Sequence, residues 1–172
     1  HMSIAIFLAI LLGTSAFHKM RNIHDFRRAL TGYGFPAYVT RSSAVYIVPA
    51  IEALITMLLL TGSHMGVWAG LALFSAYFLL LSAGLASGKA GMDCGCSWGG
   101  KPGLLSRLGL VRNGGLIILS LMLLLPATDR VTGWFDYVNA SFAGLAFFII
   151  YIAADTAITL RSQHFWNEGR AL

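Results

Sequence analysis

The run Met65 to Ser87, MGVWAGLALFSAYFLLLSAGLAS, places twenty-three residues in a row without one charged side chain. As a helix rising about 1.5 Å per residue it is roughly 34 Å long, enough to cross a hydrocarbon core of about 30 Å. Gly62-Ser63-His64 before it leaves room only for a tight antiparallel turn, so the apolar residues upstream, about 42–61, form another span. Working outward, a first span covers about 3–18, a fourth about 107–125 with its stop at Pro126, and a fifth about 137–160 with its stop at Arg161. Composition agrees: 57% hydrophobic and 11% charged residues, with a mean hydropathy of +0.73, lie outside the range of a soluble domain. The expected fold is therefore all-α, a polytopic membrane bundle of about five transmembrane helices forming one domain over 3–160, with no internal repeat.

His1-Met2 reads as a remnant of expression tagging and is set aside. Ile4–Leu12 has the length of a signal-peptide core, but no positive residue precedes it and the basic cluster follows it. The segment is accordingly read as a mature helix. Gly66-x-x-x-Gly70 and Gly84-x-x-x-Gly88 on the third span are spaced for close helix packing.

Twelve Lys and Arg against seven Asp and Glu give a net charge of +5, an excess that in a soluble chain would suggest nucleic acid. In a membrane chain it is a topology signal. Lys19, Arg21, Arg27, Arg28 and Arg41 precede the second span, Lys89, Lys101, Arg107 and Arg112 flank the start of the fourth, and Arg161 and Arg170 follow the fifth. All eleven fall on one side of a five-span chain and only Arg130 on the other. The N-terminus is then expected outside and the 161–172 tail in the cytoplasm, as a multi-pass protein of the cytoplasmic (inner) membrane. In the basic 20–41 segment, Ile23, Phe26 and Leu30 share a helical face while Arg27 and Arg28 lie off it, the pattern of an interfacial amphipathic helix on an anionic leaflet. His18 and Lys19 are expected to snorkel to the interface.

The same count puts the 88–106 segment at the cytoplasmic face, and this segment holds the chain's two cysteines, Cys94 and Cys96, one glycine apart. Thiol–disulfide exchange needs an attackable sulfur and a partner thiol nearby, and this spacing supplies both in the smallest workable loop. Gly95 frees the backbone to close it, and six glycines fall within residues 88–103. Asp93 either opposes ionisation of Cys94 or takes its proton during exchange, and Trp98 covers the site or meets a docking partner. Two other readings stay open. The cysteines are inert, or with Asp93 they form part of a soft-metal site completed by His18, His24, His64 or His164.

Within the spans, Glu52 lies about ten residues, or roughly 15 Å, into the second helix. An ionisable group at that depth is either a proton acceptor or gate tied to the thiol chemistry, or a neutral carboxyl bonded to a neighbour such as Tyr46 or Ser75. Arg112 and Asp155 sit at the same ends of their helices, which allows an ion pair. Asn113 is placed to hydrogen-bond the cysteine segment.

Taken together, these features resemble the MauE family, the methylamine-utilisation membrane proteins grouped with DoxX-like redox-associated proteins. The resemblance runs over about 3–160. It rests on Lys19 after the first helix, Pro49 and Glu52 in the second, Asp93-Cys94-Gly95-Cys96, and Arg112-Asn113 in the fourth. The family usually follows its second cysteine with an aromatic residue and a glycine, whereas here Ser97 precedes Trp98 and Gly99. The resemblance implies disulfide handling outside the cytoplasm, with a thioredoxin-like partner and maturation of a disulfide-rich subunit of methylamine dehydrogenase. A single thiol pair at the cytoplasmic face must then either become accessible from both sides or meet a mobile carrier. No cofactor is required for the exchange, and quinone in the bilayer is the rival acceptor. A metal-handling or ion-transporting membrane protein using the same thiols is the rival from another class.

Overall fold

A computed structural model describes residues 1–36, 38, 40, 42–87, 105–125 and 133–168, with only the helical course described for 105–108, 155 and 158–168. Every regular element among the described residues is helical. These are α1 (Met2–Arg21), α2 (Ile23–Gly32), a 3-10 turn (Ser43–Tyr46) running into α3 (Ile47–Leu60), α4 (His64–Ala86), α5 (Leu105–Met122) and α6 (Trp134–Glu168). Four stretches are long and apolar enough to cross a membrane: Met2–Arg21, Ser43–Leu60, His64–Ala86 and Trp134–Ala154; α5 adds a shorter apolar helix over Gly109–Met122. Large apolar side chains such as Trp68, Leu79, Val111, Ile118, Phe142 and Ile150 point outward, while Lys19, Glu52, Asn113 and Ser120 are buried. That inversion is expected where the solvent is lipid. The chain is a polytopic helical membrane bundle.

The helices alternate in direction. Ser15 meets Glu52 and Gly13 meets Thr56, so contacts climb α1 as they descend α3. The same antiparallel order joins α4 to α5 through Leu81 with Gly109 and Phe78 with Gly114. By contrast α6 runs parallel to α1, with Ile6 on Gly144 and Phe7 edge-on to Phe147 and Tyr151. One end of the bundle therefore gathers the end of α1, the start of α3, the end of α4, the start of α5 and the end of α6. It is called the basic end below.

Chain reversals follow from two glycines. After α3, Gly62 takes a φ of 70°, Gly62 N–H donates to the Leu59 carbonyl and Ser63 N–H to that of Leu58, the paired bonds of a Schellman stop. After α2, Gly34 (φ 89°) is followed by the same pattern, with Gly34 N–H to Thr31 and Phe35 N–H to Leu30. Pro49 falls in the first turn of α3, where its missing N–H is least costly. Gly66 then lets α4 close on α3, since a Cβ there would lie 2.7 Å from the Leu58 carbonyl carbon. Gly70 and Ile55 are in ordinary contact and Gly84 packs under the Tyr33 ring, so the three glycines of the sequence pairs that are described all lie on surfaces turned to a neighbouring segment.

Several boundaries differ from expectation. α1 continues past residue 18 to Arg21 and α2 begins two residues later. The apolar stripe of α2 packs inward, with Phe26 and Leu30 buried against Val45 and flanked by Ile23 and Val48. α5 ends at Met122, short of Pro126, as the chain tightens through Leu124 N–H to the Leu121 carbonyl. α6 does not stop at Arg161 but runs to Glu168, because the apolar window ends a span and not a helix. No residue between Arg161 and Glu168 is Gly or Pro, and the next residue is Gly169.

Candidate functional site

Each core helix buries a stripe spaced by three and four residues, and each stripe carries polar groups at the same level. On α1 the stripe runs through Leu8, Leu12, Ala16 and Lys19, with Phe7 and Ala9 also buried; on α3 it is Pro49, Glu52, Ile55 and Leu59. On α4, Tyr77 continues the line Gly66, Gly70, Phe74, Leu81 and Gly84, and on α5 Asn113 stands between Gly109 and Leu116. Tyr77 lies nine residues from the end of α4, about 14 Å, and Asn113 eight from the start of α5, about 12 Å. Glu52 is central in the 43–60 rod, as its sequence position implied.

At this level Lys19 and Glu52 form an ion pair with 1% and 0% of their side chains exposed. Glu52 Oε1 accepts from Lys19 Nζ, from the Tyr77 hydroxyl at 2.6 Å and from the Ser15 hydroxyl at 3.3 Å. Lys19 Nζ also donates to the Tyr77 oxygen at 3.1 Å, closing a ring of three hydrogen bonds. The ammonium lies 4.8 Å from the centre of the Tyr77 ring and 5.6 Å from that of Phe26, two further favourable contacts for a buried cation.

Lys19 therefore does not snorkel. A helix tilts its Cα–Cβ bonds toward its own N-terminus, so a lysine near the end of α1 starts out aimed back into the bundle. Glu52 across the α1–α3 contact completes the turn inward. Glu52 bonds to Lys19, Tyr77 and Ser15, where Tyr46 or Ser75 was expected. Tyr46 is exposed, and Ser75 is two residues from Tyr77, hence about 200° around α4. Tyr77 and Ser15 were not singled out from sequence, although the spacing of the α4 stripe from Gly66 to Gly84 passes through Tyr77.

Beside the ring lies a cavity of about 40 Å³ bounded by α1, α3, α4, α5 and α6. A water needs at least about 10–15 Å³ by the same measure, so there is room for one or a few. Thr14, Ser15, Glu52, Tyr77, Arg112 and Asn113 supply its polar walls. Leu12, Phe74 and Leu116, each about one turn farther from the basic end, close it with the main apolar core. Arg112 and Asn113 thus join Glu52 at one site. The Asn113 amide donates to the Gly109 carbonyl on its own helix at 3.0 Å. The Asp155 side chain lies outside the described residues, as do Asp93, Cys94, Gly95, Cys96 and Trp98. Among the described residues, no three His, Cys, Asp or Glu side chains gather as for a metal ion, and His18 pairs with Asn22 at 3.2 Å.

The family model described as methylamine utilisation protein MauE matches residues 2–126. A relative named methylamine utilization protein MauE, from Paracoccus versutus, is 24% identical over 168 residues, covering 95% of this chain and 90% of the relative. No solved structure matches. A match over well more than half of the residues, laid on a polytopic bundle whose cluster contains Lys19, Glu52, Arg112 and Asn113, places the chain in the MauE family of methylamine-utilisation membrane proteins.

Proposed function

We propose that this protein is a thiol–disulfide oxidoreductase of the cytoplasmic membrane, working through Cys94 and Cys96 on a thioredoxin-like partner. What supports the reading is the sequence position of the chain's two thiols, separated by one glycine, between α4, which ends at the basic end, and α5, which begins there. One thiolate attacks the partner's disulfide and forms a mixed disulfide. The other cysteine then displaces the partner, leaving a Cys94–Cys96 disulfide and a partner dithiol. Two electrons and two protons pass from one pair to the other, and the reverse sequence oxidises the partner instead. With methylamine dehydrogenase maturation as the expected client pathway, the partner is extracytoplasmic. The pair then exchanges with a donor on the cytoplasmic side and reaches the partner through a rearrangement of the bundle.

Cys94→Ser and Cys96→Ser, expressed separately, test this by trapping. Each variant keeps one cysteine and cannot resolve a mixed disulfide. A thioredoxin-fold protein recovered in disulfide linkage supports the proposal. Full function of the Cys94→Ser/Cys96→Ser double variant, with no protein trapped by either single variant, would refute it. Quinone-dependent re-oxidation of the pair in purified membranes would instead identify bilayer quinone as the acceptor.

A further inference from the structure

The Lys19–Glu52–Tyr77 ring is more than a clamp in its chemistry. Its charged form, ammonium with carboxylate, and its neutral form, amine with carboxylic acid, contain the same number of protons. They interconvert across one direct hydrogen bond or through the Tyr77 hydroxyl, which accepts from Lys19 and donates to Glu52. A group that only held two helices together would not need a cavity of water size against its carboxylate. This one has such a cavity, with polar walls toward the basic end and an apolar plug of Leu12, Phe74 and Leu116 toward the other.

The groups facing Glu52 and the cavity come from every helix packed around them. They are Lys19, Thr14 and Ser15 from α1, Tyr77 from α4, Arg112 and Asn113 from α5 and Tyr151 from α6. α2 contributes the Phe26 ring behind Lys19.

We propose that Glu52 is a one-sided proton-exchange site: water in the cavity carries a proton between the basic end and the Glu52 carboxylate, while Lys19 and Tyr77 hold the charge. On protonation the carboxylate becomes a carboxylic acid, and on release it returns to the ion pair. The apolar plug denies the opposite end access, so the site exchanges protons without conducting them across the membrane. Its use rests on the thiol–disulfide reading above. When the pair exchanges with its donor on the cytoplasmic side, each thiol that attacks must lose a proton and each thiolate that leaves must gain one.

The test uses the full chain reconstituted in lipid vesicles. Infrared difference spectra are taken between alkaline and acidic buffer, in H2O and in D2O. A carboxylic C=O band that appears on acidification, shifts in D2O and vanishes in Glu52→Gln is expected. It should persist in Cys94→Ser/Cys96→Ser, which separates this site from the thiols. Thiol exchange with a thioredoxin substrate is read in parallel as a rate against pH. Glu52→Gln should slow it about 100-fold, the scale of lost general acid–base assistance, and change its pH profile. Lys19→Met/Glu52→Met/Tyr77→Phe, which removes the ring at similar volume, serves if Glu52→Gln fails to fold, and should be equally slow.

Identical spectra for the wild type and Glu52→Gln at every pH would overturn the inference. So would an unchanged rate and pH profile in the triple variant, which would leave the ring a clamp. A Glu52 band in a protein without exchange activity sustains the site and sinks the thiol reading; exchange without the band does the reverse.

Discussion

Lys19 and Glu52 should behave in a stability cycle as a buried ion pair with one additional dependent group. Removing a single partner from such a pair leaves an uncompensated buried charge and costs about 3–5 kcal/mol. The low end is expected here, because the unfolded chain in a bilayer also finds polar partners. After Lys19→Met the Glu52 carboxylate keeps the Tyr77 and Ser15 hydroxyls. After Glu52→Met the ammonium keeps the Tyr77 oxygen and two aromatic faces. At about 3 kcal/mol, each single variant should therefore lower the melting temperature by roughly 6–12 °C, at about 2–4 °C per kcal/mol for a chain of this size. Lys19→Met/Glu52→Met removes both charges and takes the Glu52 acceptor from the Tyr77 and Ser15 hydroxyls; a serine can turn to a carbonyl of its own helix, so the loss is about 1–3 kcal/mol, mostly at Tyr77. Adding Tyr77→Phe should bring stability back to that of the native protein or above it, since well-packed apolar groups often replace buried ion pairs at no loss. Thermal unfolding of detergent-solubilised protein, followed by tryptophan fluorescence, measures all four variants. Effects of the two single variants that simply add in the double variant would refute the pairing.

Three further outcomes follow from the packing and the charge distribution. Gly66→Ala would press a methyl against the Leu58–Leu59 backbone and should destabilise by about 1–3 kcal/mol by the same assay, whereas Gly115→Ala, which meets nothing within 4 Å, should be neutral or slightly stabilising. Gly144→Val should loosen α6 from α1, because even a Cβ there lies 2.8 Å from Ile6 Cγ2 and 3.2 Å from the Ser3 carbonyl oxygen; faster proteolysis after α5 in membranes would report it. In the Cys94→Ser/Cys96→Ser background, Ser63→Cys should react with an impermeant maleimide from outside the cell and Asp25→Cys only from inside. The opposite pattern would overturn the orientation drawn from charge. Burial of Lys19 and the placement of Arg112 in the cavity wall reduce the charges available to set it, but Arg21, Arg27, Arg28, Arg41, Lys89, Lys101, Arg107, Arg161 and Arg170 still oppose Arg130 alone.

Spans and their order were readable along the chain because transfer into lipid depends on local composition and length. Met65 to Ser87 needed no tertiary information to be recognised as a crossing. The tight α3–α4 reversal was equally legible at Gly62-Ser63-His64, since Gly62 supplies the positive φ that the stop requires. The face that each helix turns to its neighbours was not. In a soluble helix the apolar stripe marks the core, but in lipid both faces of α4 are apolar, with Leu79 exposed and Leu81 buried. Without that contrast, Ser75 was expected beside Glu52 and Tyr77 was passed over. The rotation of α4, set by Gly66 against α3 and Leu81 against Gly109, selects Tyr77.

Lys19 is the sharper case. Sequence position puts it at a helix end, where a cation ordinarily reaches water. Yet α1 aims the side chain inward, and an acid from α3 thirty-three residues along the chain is there to receive it. Composition determines which segments enter the membrane, while the meeting of α1, α3, α4 and α5 turns four separated polar residues into one site. A charge inside the bilayer persists where a partner from another helix compensates it, and that compensation exists only once the helices have packed.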